Sequence, residues 1–262
     1  MRVHVVSDVH GDVEGLARAG DGADALVVLG DLVEFVDYHD PSRGILGRVL
    51  GAEASARFGE LRASGRPGEL MRFARAAWAH VPDPPALVTE AVREQYAALF
   101  AALPAPTYAI PGNVDLPELW PEFARAGVHA VDGRVVELAG LRFGFVGGVP
   151  LPPGVQPHRG GPWRPYVRAA ADFDAAVHGL DAPDVLCSHA PPAVPELAYD
   201  VRSRRPEAAS PALREVIERH RPRAALFGHV HQPLAARRRW GGTECVNVGH
   251  FRATGRPYVL RW

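Results

Sequence analysis

The chain contains no lysine: all 29 of its basic residues are arginine. That absence excludes a Schiff-base lysine and a phosphate-binding loop of the G-x-x-x-x-G-K type. Cysteine occurs only as Cys187 and Cys245, too few for a disulfide framework and without zinc-type spacing. Asparagine is confined to Asn113 and Asn247, and isoleucine to Ile45, Ile110 and Ile217. Beside abundant Ala, Gly, Pro and Arg, this has the look of a GC-rich coding bias. No stretch reaches the roughly 18 unbroken apolar residues of a membrane span. The opening Met1–Asp8 has too short an apolar run for a secretory signal. Charge of one sign is also missing. The 29 basic groups face 30 acidic ones, a formal net charge of -1, so nucleic acid is not expected as a partner. A soluble, reduced, cytoplasmic protein is expected. What remains is 262 residues, 47% hydrophobic and 23% charged, enough for one large domain over residues 1–262 with a sizeable core.

Short apolar runs followed by polar, Gly-containing turns recur along the chain. Val3–Ser7 leads into Asp8-Val9-His10-Gly11-Asp12, Leu26–Leu29 into Gly30-Asp31, and Thr107–Ile110 into Pro111-Gly112-Asn113. Val185–Cys187 leads into Ser188-His189, and Ala224–Phe227 into Gly228-His229. Val135–Leu138 and Leu141–Val146, joined at Ala139-Gly140, form a hairpin candidate. Cys245–Val248 and Tyr258–Leu260 complete the expected strands, several of them continuously apolar as in sheets covered on both faces. Between them, Val88, Val92, Tyr96, Leu99 and Leu103 keep a helical stripe behind Pro84-Pro85. Ser210-Pro211 opens another helix, which runs to His220 and stops before Pro222. Residues from about Gly44 to His80 are helical in pattern, interrupted at Ser64–Gly68. A mostly helical insertion, about 40–105, therefore separates the second strand from the third. It is expected to serve as a lid beside the site or as an oligomer surface.

Five expected strand ends deliver metal-ligand chemistry: Asp8-x-His10, Gly30-Asp31, Gly112-Asn113, Ser188-His189 and Gly228-His229-Val230-His231. Strand residues two apart share a face, so Asp8 with His10, and His229 with His231, are expected to converge. Carboxylate, imidazole and amide oxygen together suit manganese, iron, zinc, cobalt or nickel. A carboxylate with two oxygens can be shared between two such ions.

In order and spacing these groups, with Asn113-Val114-Asp115, resemble the five motifs of the calcineurin-like metallophosphoesterases over residues 3 to about 250. The insertion Leu32–Pro106 lies outside the resemblance. It implies an α/β fold, a four-layer αββα sandwich of two mixed β-sheets flanked by helices. It also implies two divalent metals: one on Asp8, His10 and His231, the other on Asn113, His189 and His229, with Asp31 bridging. The implied activity is hydrolysis of a small phosphate ester by a hydroxide held between the metals, with Asp31, Asn113 and His229 as catalytic residues.

The chain departs from that pattern at Val114, where many members carry a histidine thought to protonate the leaving group. Phosphodiesters are therefore expected slightly ahead of phosphomonoesters. A metal-binding interaction scaffold that has lost catalysis is the alternative. Asp115 is read as a helix cap, since Asp115-Leu-Pro-Glu118 has capping-box form. His158, Arg159, His250 and His39 are conceivable replacement acids, but are read as solvated loop side chains. Arg237–Arg239 and the Arg202, Arg204, Arg205 cluster are read as solvated faces, Trp78 and Tyr96 as core, and Cys187 as an inert buried thiol.

Overall fold

The structure, a computed structural model, describes residues 1–158 and 161–262. Eleven strands build its two large sheets: β1 (Arg2–Val6), β2 (Ala25–Val28), β3 (Thr107–Ala109), β4 (Val128–Ala130), β5 (Val135–Leu138), β6 (Leu141–Val146), β7 (Val185–Ser188), β8 (Ala224–Phe227), β9 (Arg237–Trp240), β10 (Thr243–Asn247) and β11 (Tyr258–Arg261). The first sheet has the order β11-β1-β2-β3-β4 and the second β9-β10-β8-β7-β6-β5. β1 to β4 are mutually parallel, and β11 lies antiparallel on the β1 edge. In the second sheet β6, β7, β8 and β10 are parallel, while β5 and β9 close the two edges antiparallel.

Strand alternation sorts the side chains. Val3, Val5, Val27 and Leu29 point into the space between the sheets, against Phe143, Phe145, Cys187 and Leu226. Their neighbours point outward under helices. On the first sheet these include α1 (Val13–Arg18), α2 (Gly44–Leu50) and, beyond α3 (Ala52–Ala63) and α4 (Pro67–Trp78), α5 (Pro84–Ala102). On the second sheet they are α6 (Ala170–His178) and α7 (Pro211–His220). The result is the expected αββα sandwich. No helix among the described residues is long and apolar enough to cross a membrane.

The α5 stripe is buried at all five expected positions. Two prolines in its first turn and the Asp83 carboxylate on Ala86 N (3.3 Å) start the helix. α5 packs on α1 and so forms part of the outer layer of the sandwich, although the sequence groups it with the insertion. Ser210 Oγ caps Leu213 N at 3.1 Å to open α7, as its Ser-Pro pair implies.

The β5–β6 hairpin turns at Ala139 (φ 46°) and Gly140 (φ 79°), both left-handed, the arrangement of a type I′ turn. Ala139 carries a Cβ there at a cost of about 1 kcal/mol. Ala139→Gly is therefore expected to stabilise the protein by about 0.5 kcal/mol, read from the urea midpoint. Of the strands in the two large sheets, the sequence pattern omits β4 and β9. Arg237–Trp240 has no apolar alternation because β9 is an exposed edge that needs only backbone pairing to β10. Its arginines are solvated as expected, with Arg237 at 3.0 Å from Glu244 and Arg238 at 2.8 Å from Glu196.

Candidate metal centre

Parallel strands end on the same side of a sheet, so β1, β2, β3, β7 and β8 carry their following turns to one end of the sandwich. Four of the seven expected ligand residues lie past the strand ends in left-handed backbone: Asp8 (φ 58°), His10 (φ 42°), Asp31 (φ 53°) and His229 (φ 68°). Convergence therefore comes from these turns rather than from strand alternation, the reason offered by sequence. Each departure is held by hydrogen bonds: Asp8 N donates to Gly30 O (3.0 Å), His10 N to Asp31 O (2.9 Å) and His229 N to Asp8 Oδ2 (3.1 Å). Such strain persists only where the surroundings enforce it. Glycine is required at two points of close approach. A Cβ on Gly112 would lie 2.2 Å from Asp31 Oδ1, and one on Gly228 would lie 1.9 Å from Ser7 Oγ.

All seven expected residues meet here, in two groups. In the first, His10 Nε2 stands 3.2 Å from His231 Nε2, and His231 Nε2 stands 3.2 Å from Asp8 Oδ1. In the second, His189 Nε2 stands 3.0 Å from Asn113 Oδ1, with the His229 ring 5.2 Å from that of His189. Asp31 lies between them, Oδ2 at 3.8 Å from His10 Nε2 and Oδ1 at 3.5 Å from His189 Nε2. Ligands of one divalent cation sit roughly 3.0–3.4 Å apart, given metal–nitrogen bonds near 2.1 Å. The His10–His231, His231–Asp8 and His189–Asn113 separations match that spacing, while those from Asp31 and that from His10 to Asp8 (3.9 Å) are somewhat longer.

The donor set fits cations by its chemistry as well. His229 Nε2 is buried without a hydrogen-bond partner among the described residues. Leaving such atoms dry and unpaired is costly unless a ligand answers them. Burial and the neighbouring His231 lower His10 to about 3, and burial with His189 lowers His229 to about 3, so both imidazoles are neutral and able to ligate. Burial raises the Asp8 carboxyl, but the imidazoles of His231, His189 and His10 outweigh it and hold the group well below the carboxylate range. Asp31 is pushed well above that range by burial and by the charges of Asp8 and Asp115.

Surrounding groups orient the donors. His189 Nδ1 donates to Leu29 O (2.7 Å) and His10 Nδ1 to Val33 O (3.3 Å), which leaves each Nε2 as the free donor atom. Val114 N donates to Asp31 Oδ1 at 2.9 Å, so the backbone at this position still serves the site. The Arg252 guanidinium hydrogen-bonds His10 O and pairs with Glu34, and it reaches Asp37 Oδ2 at 2.8 Å. Nothing in the local sequence marks Glu34, Asp37 or Arg252, and Arg252 lies more than 200 residues from the other two.

Asp115 is not the helix cap that its local sequence indicates. The following short 3-10 helix has Leu116 at its N-cap and no side-chain cap bond. The Asp115 carboxylate is fully buried and accepts from Gly112 N (2.8 Å), Leu32 N (3.1 Å), Val33 N (3.3 Å) and Tyr96 Oη (3.2 Å). It fastens the Asp31 loop to the Asn113 loop. Tyr96 is core, as expected, but its hydroxyl also receives Leu116 N at 2.8 Å. Trp78 is half-buried against the same core, and burial raises the Cys187 thiol, consistent with an inert residue.

His39 and His158 are exposed, and Arg159 lies outside the described residues. His250 is not the solvated loop side chain expected. It stacks on His231, with ring centroids 4.0 Å apart.

A family model described as calcineurin-like phosphoesterase matches residues 1–233. No curated protein matches the chain by sequence. One solved structure aligns over 99% of this chain and 94% of its own, with a TM-score of 0.61 at 16% identity. The structure of TT1561 from Thermus thermophilus aligns over 99% of this chain and 98% of its own, with a TM-score of 0.56 at 15% identity. At these identities the likeness is one of fold.

Proposed function

The chain belongs to the calcineurin-like phosphoesterase family, and from that membership we propose that it is a dinuclear metal-dependent hydrolase of small phosphate esters. The observation that carries this reading is Asp31, whose two oxygens face His10 on one side and His189 on the other. Asp8, His10 and His231 would hold one cation, Asn113, His189 and His229 the other, and Asp31 both. Two such ions, of the manganese, iron, zinc, cobalt or nickel kind, supply Lewis acidity, activating water near neutral pH and neutralising charge on the phosphoryl oxygens.

The protein's own part is to fix those donors in advance. Val114 N orients Asp31, and the Leu29 and Val33 carbonyls set the tautomers of His189 and His10. Asp115 and Arg252 hold the loops that carry them. The side chain at 114 supplies no proton, so esters whose leaving oxygen departs readily are favoured, and phosphodiesters stand slightly ahead of monoesters.

The test is elemental analysis of the purified protein, followed by assays with manganese and chromogenic mono- and diesters. About two metals per chain and diester turnover are expected. Monoester turnover far above diester turnover overturns the preference. Val114→His is expected to raise monoester turnover by about a hundredfold, the low end of a general acid's contribution, in steady-state kinetics. The same valine favours a second reading, a metal-binding scaffold without catalysis. Metal at full occupancy with no turnover on either ester class would select it.

A further inference from the structure

His250 lies outside the seven-residue donor set, yet its ring is pressed against it. It stacks on His231 at 4.0 Å with 18° between planes and meets His10 edge-on at 5.5 Å. One nitrogen from each of the three imidazoles lies within 4.8 Å of the others. His250 Nε2 is buried without a hydrogen-bond partner among the described residues. A histidine that merely packed would turn that nitrogen to water or to a carbonyl, because an unpaired buried polar atom costs about 1–3 kcal/mol.

The backbone holds His250 in this place from both sides. Gly249 N donates to Asn247 Oδ1 (2.9 Å), and Asn247 Nδ2 donates to Val230 O (2.9 Å), which ties the segment to the His229–His231 turn. Phe251 N donates to Ser7 O (3.0 Å) and Arg252 N to Asp8 O (3.2 Å), which ties it to the Asp8 turn.

We propose that His250 is a third imidazole ligand of the cation held by Asp8, His10 and His231. The assignment rests on the dinuclear reading above. Ligation would require the His250 ring to turn out of its stack on His231, with one nitrogen of each of the three rings already within 4.8 Å of the others. The two halves of the centre then differ: a nitrogen-rich site selects zinc, cobalt, nickel or iron over magnesium and calcium, whereas the half with the Asn113 amide oxygen discriminates less.

The experiment uses the full chain loaded with cobalt(II), as wild type, His250→Gln and His250→Ala. His158→Ala, on the exposed loop, is the control. Calorimetric titration reads the affinity of each ion. Proton NMR counts the paramagnetically shifted, exchangeable imidazole N–H resonances, one for each ligating histidine. His250→Gln is expected to weaken one of the two sites at least tenfold, to leave the other unchanged, and to lose one shifted resonance. Thermal melts of the metal-free variants establish folding, and His250→Ala replaces the glutamine variant if that one melts early. Unchanged affinities with an unchanged number of shifted resonances overturn the proposal and leave the dinuclear reading standing. Wild-type protein that takes up fewer than two cobalt ions overturns the dinuclear reading, and this assignment with it.

Discussion

Asp31→Asn is expected to abolish turnover while stabilising the metal-free protein. Asp8, Asp31 and Asp115 are buried within one region, and burial with the charges of the other two pushes the Asp31 carboxyl well above its ordinary range. Without cations these groups repel one another. The asparagine amide has the same shape and keeps an acceptor for Val114 N, but it removes one charge from the cluster. In a chelator, the urea midpoint should therefore rise by the equivalent of about 1 kcal/mol. Added manganese should reverse the order. Ions bound at a hundredfold excess over their dissociation constant stabilise the wild type by about 2.7 kcal/mol, and the variant by much less. Turnover should fall about a thousandfold or more, since every proposed step depends on charge placed by this carboxylate. His229→Ala should match the loss of turnover without the gain in stability, because it deletes a neutral ring and leaves the carboxylates facing one another. Asp31→Asn protein that keeps a tenth of wild-type turnover, or that melts earlier in chelator, contradicts the argument.

Asp115→Ala is expected to be the most destabilising change at the site, at about 3–5 kcal/mol by urea denaturation. The carboxylate satisfies three buried N–H groups and the Tyr96 hydroxyl, so its removal strands several donors in a dry interior. Each stranded donor costs about 1–3 kcal/mol, lessened where water enters the cavity. Tyr96→Phe removes one donor to that carboxylate and one acceptor for Leu116 N, and should cost about 1–2 kcal/mol. The two losses should not add, because both belong to one network. A helix cap alone would put the alanine variant near 1 kcal/mol. A value that small would return Asp115 to the role its neighbours in sequence suggest.

The legible parts of the molecule are those whose signals lie close together in the chain. The α5 stripe could be read because residues three and four apart share a helix face, and the β5–β6 hairpin because its two turn residues separate two apolar runs. The meeting of the seven expected residues could be read because a carboxylate, an amide or an imidazole follows each of five apolar runs, although the turns rather than strand alternation bring them together. The left-handed turns that aim those groups were hidden: Asp8, Asp31 and His229 adopt them under hydrogen bonds from other loops. Asp115 misled for the same reason. Its capping pattern is local, whereas two of the amides it satisfies belong to Leu32 and Val33, some eighty residues earlier. His250 and Arg252 carry no motif at all, and they reach the site because a four-residue helix hangs from the carbonyls of Ser7 and Asp8. Periodicity and strand-end chemistry record what a residue does with its chain neighbours and so specify the architecture and the donors. The orientation of those donors, and the side chains that hold them, depend on hydrogen bonds across large sequence separations, which exist only once the two sheets have closed on each other.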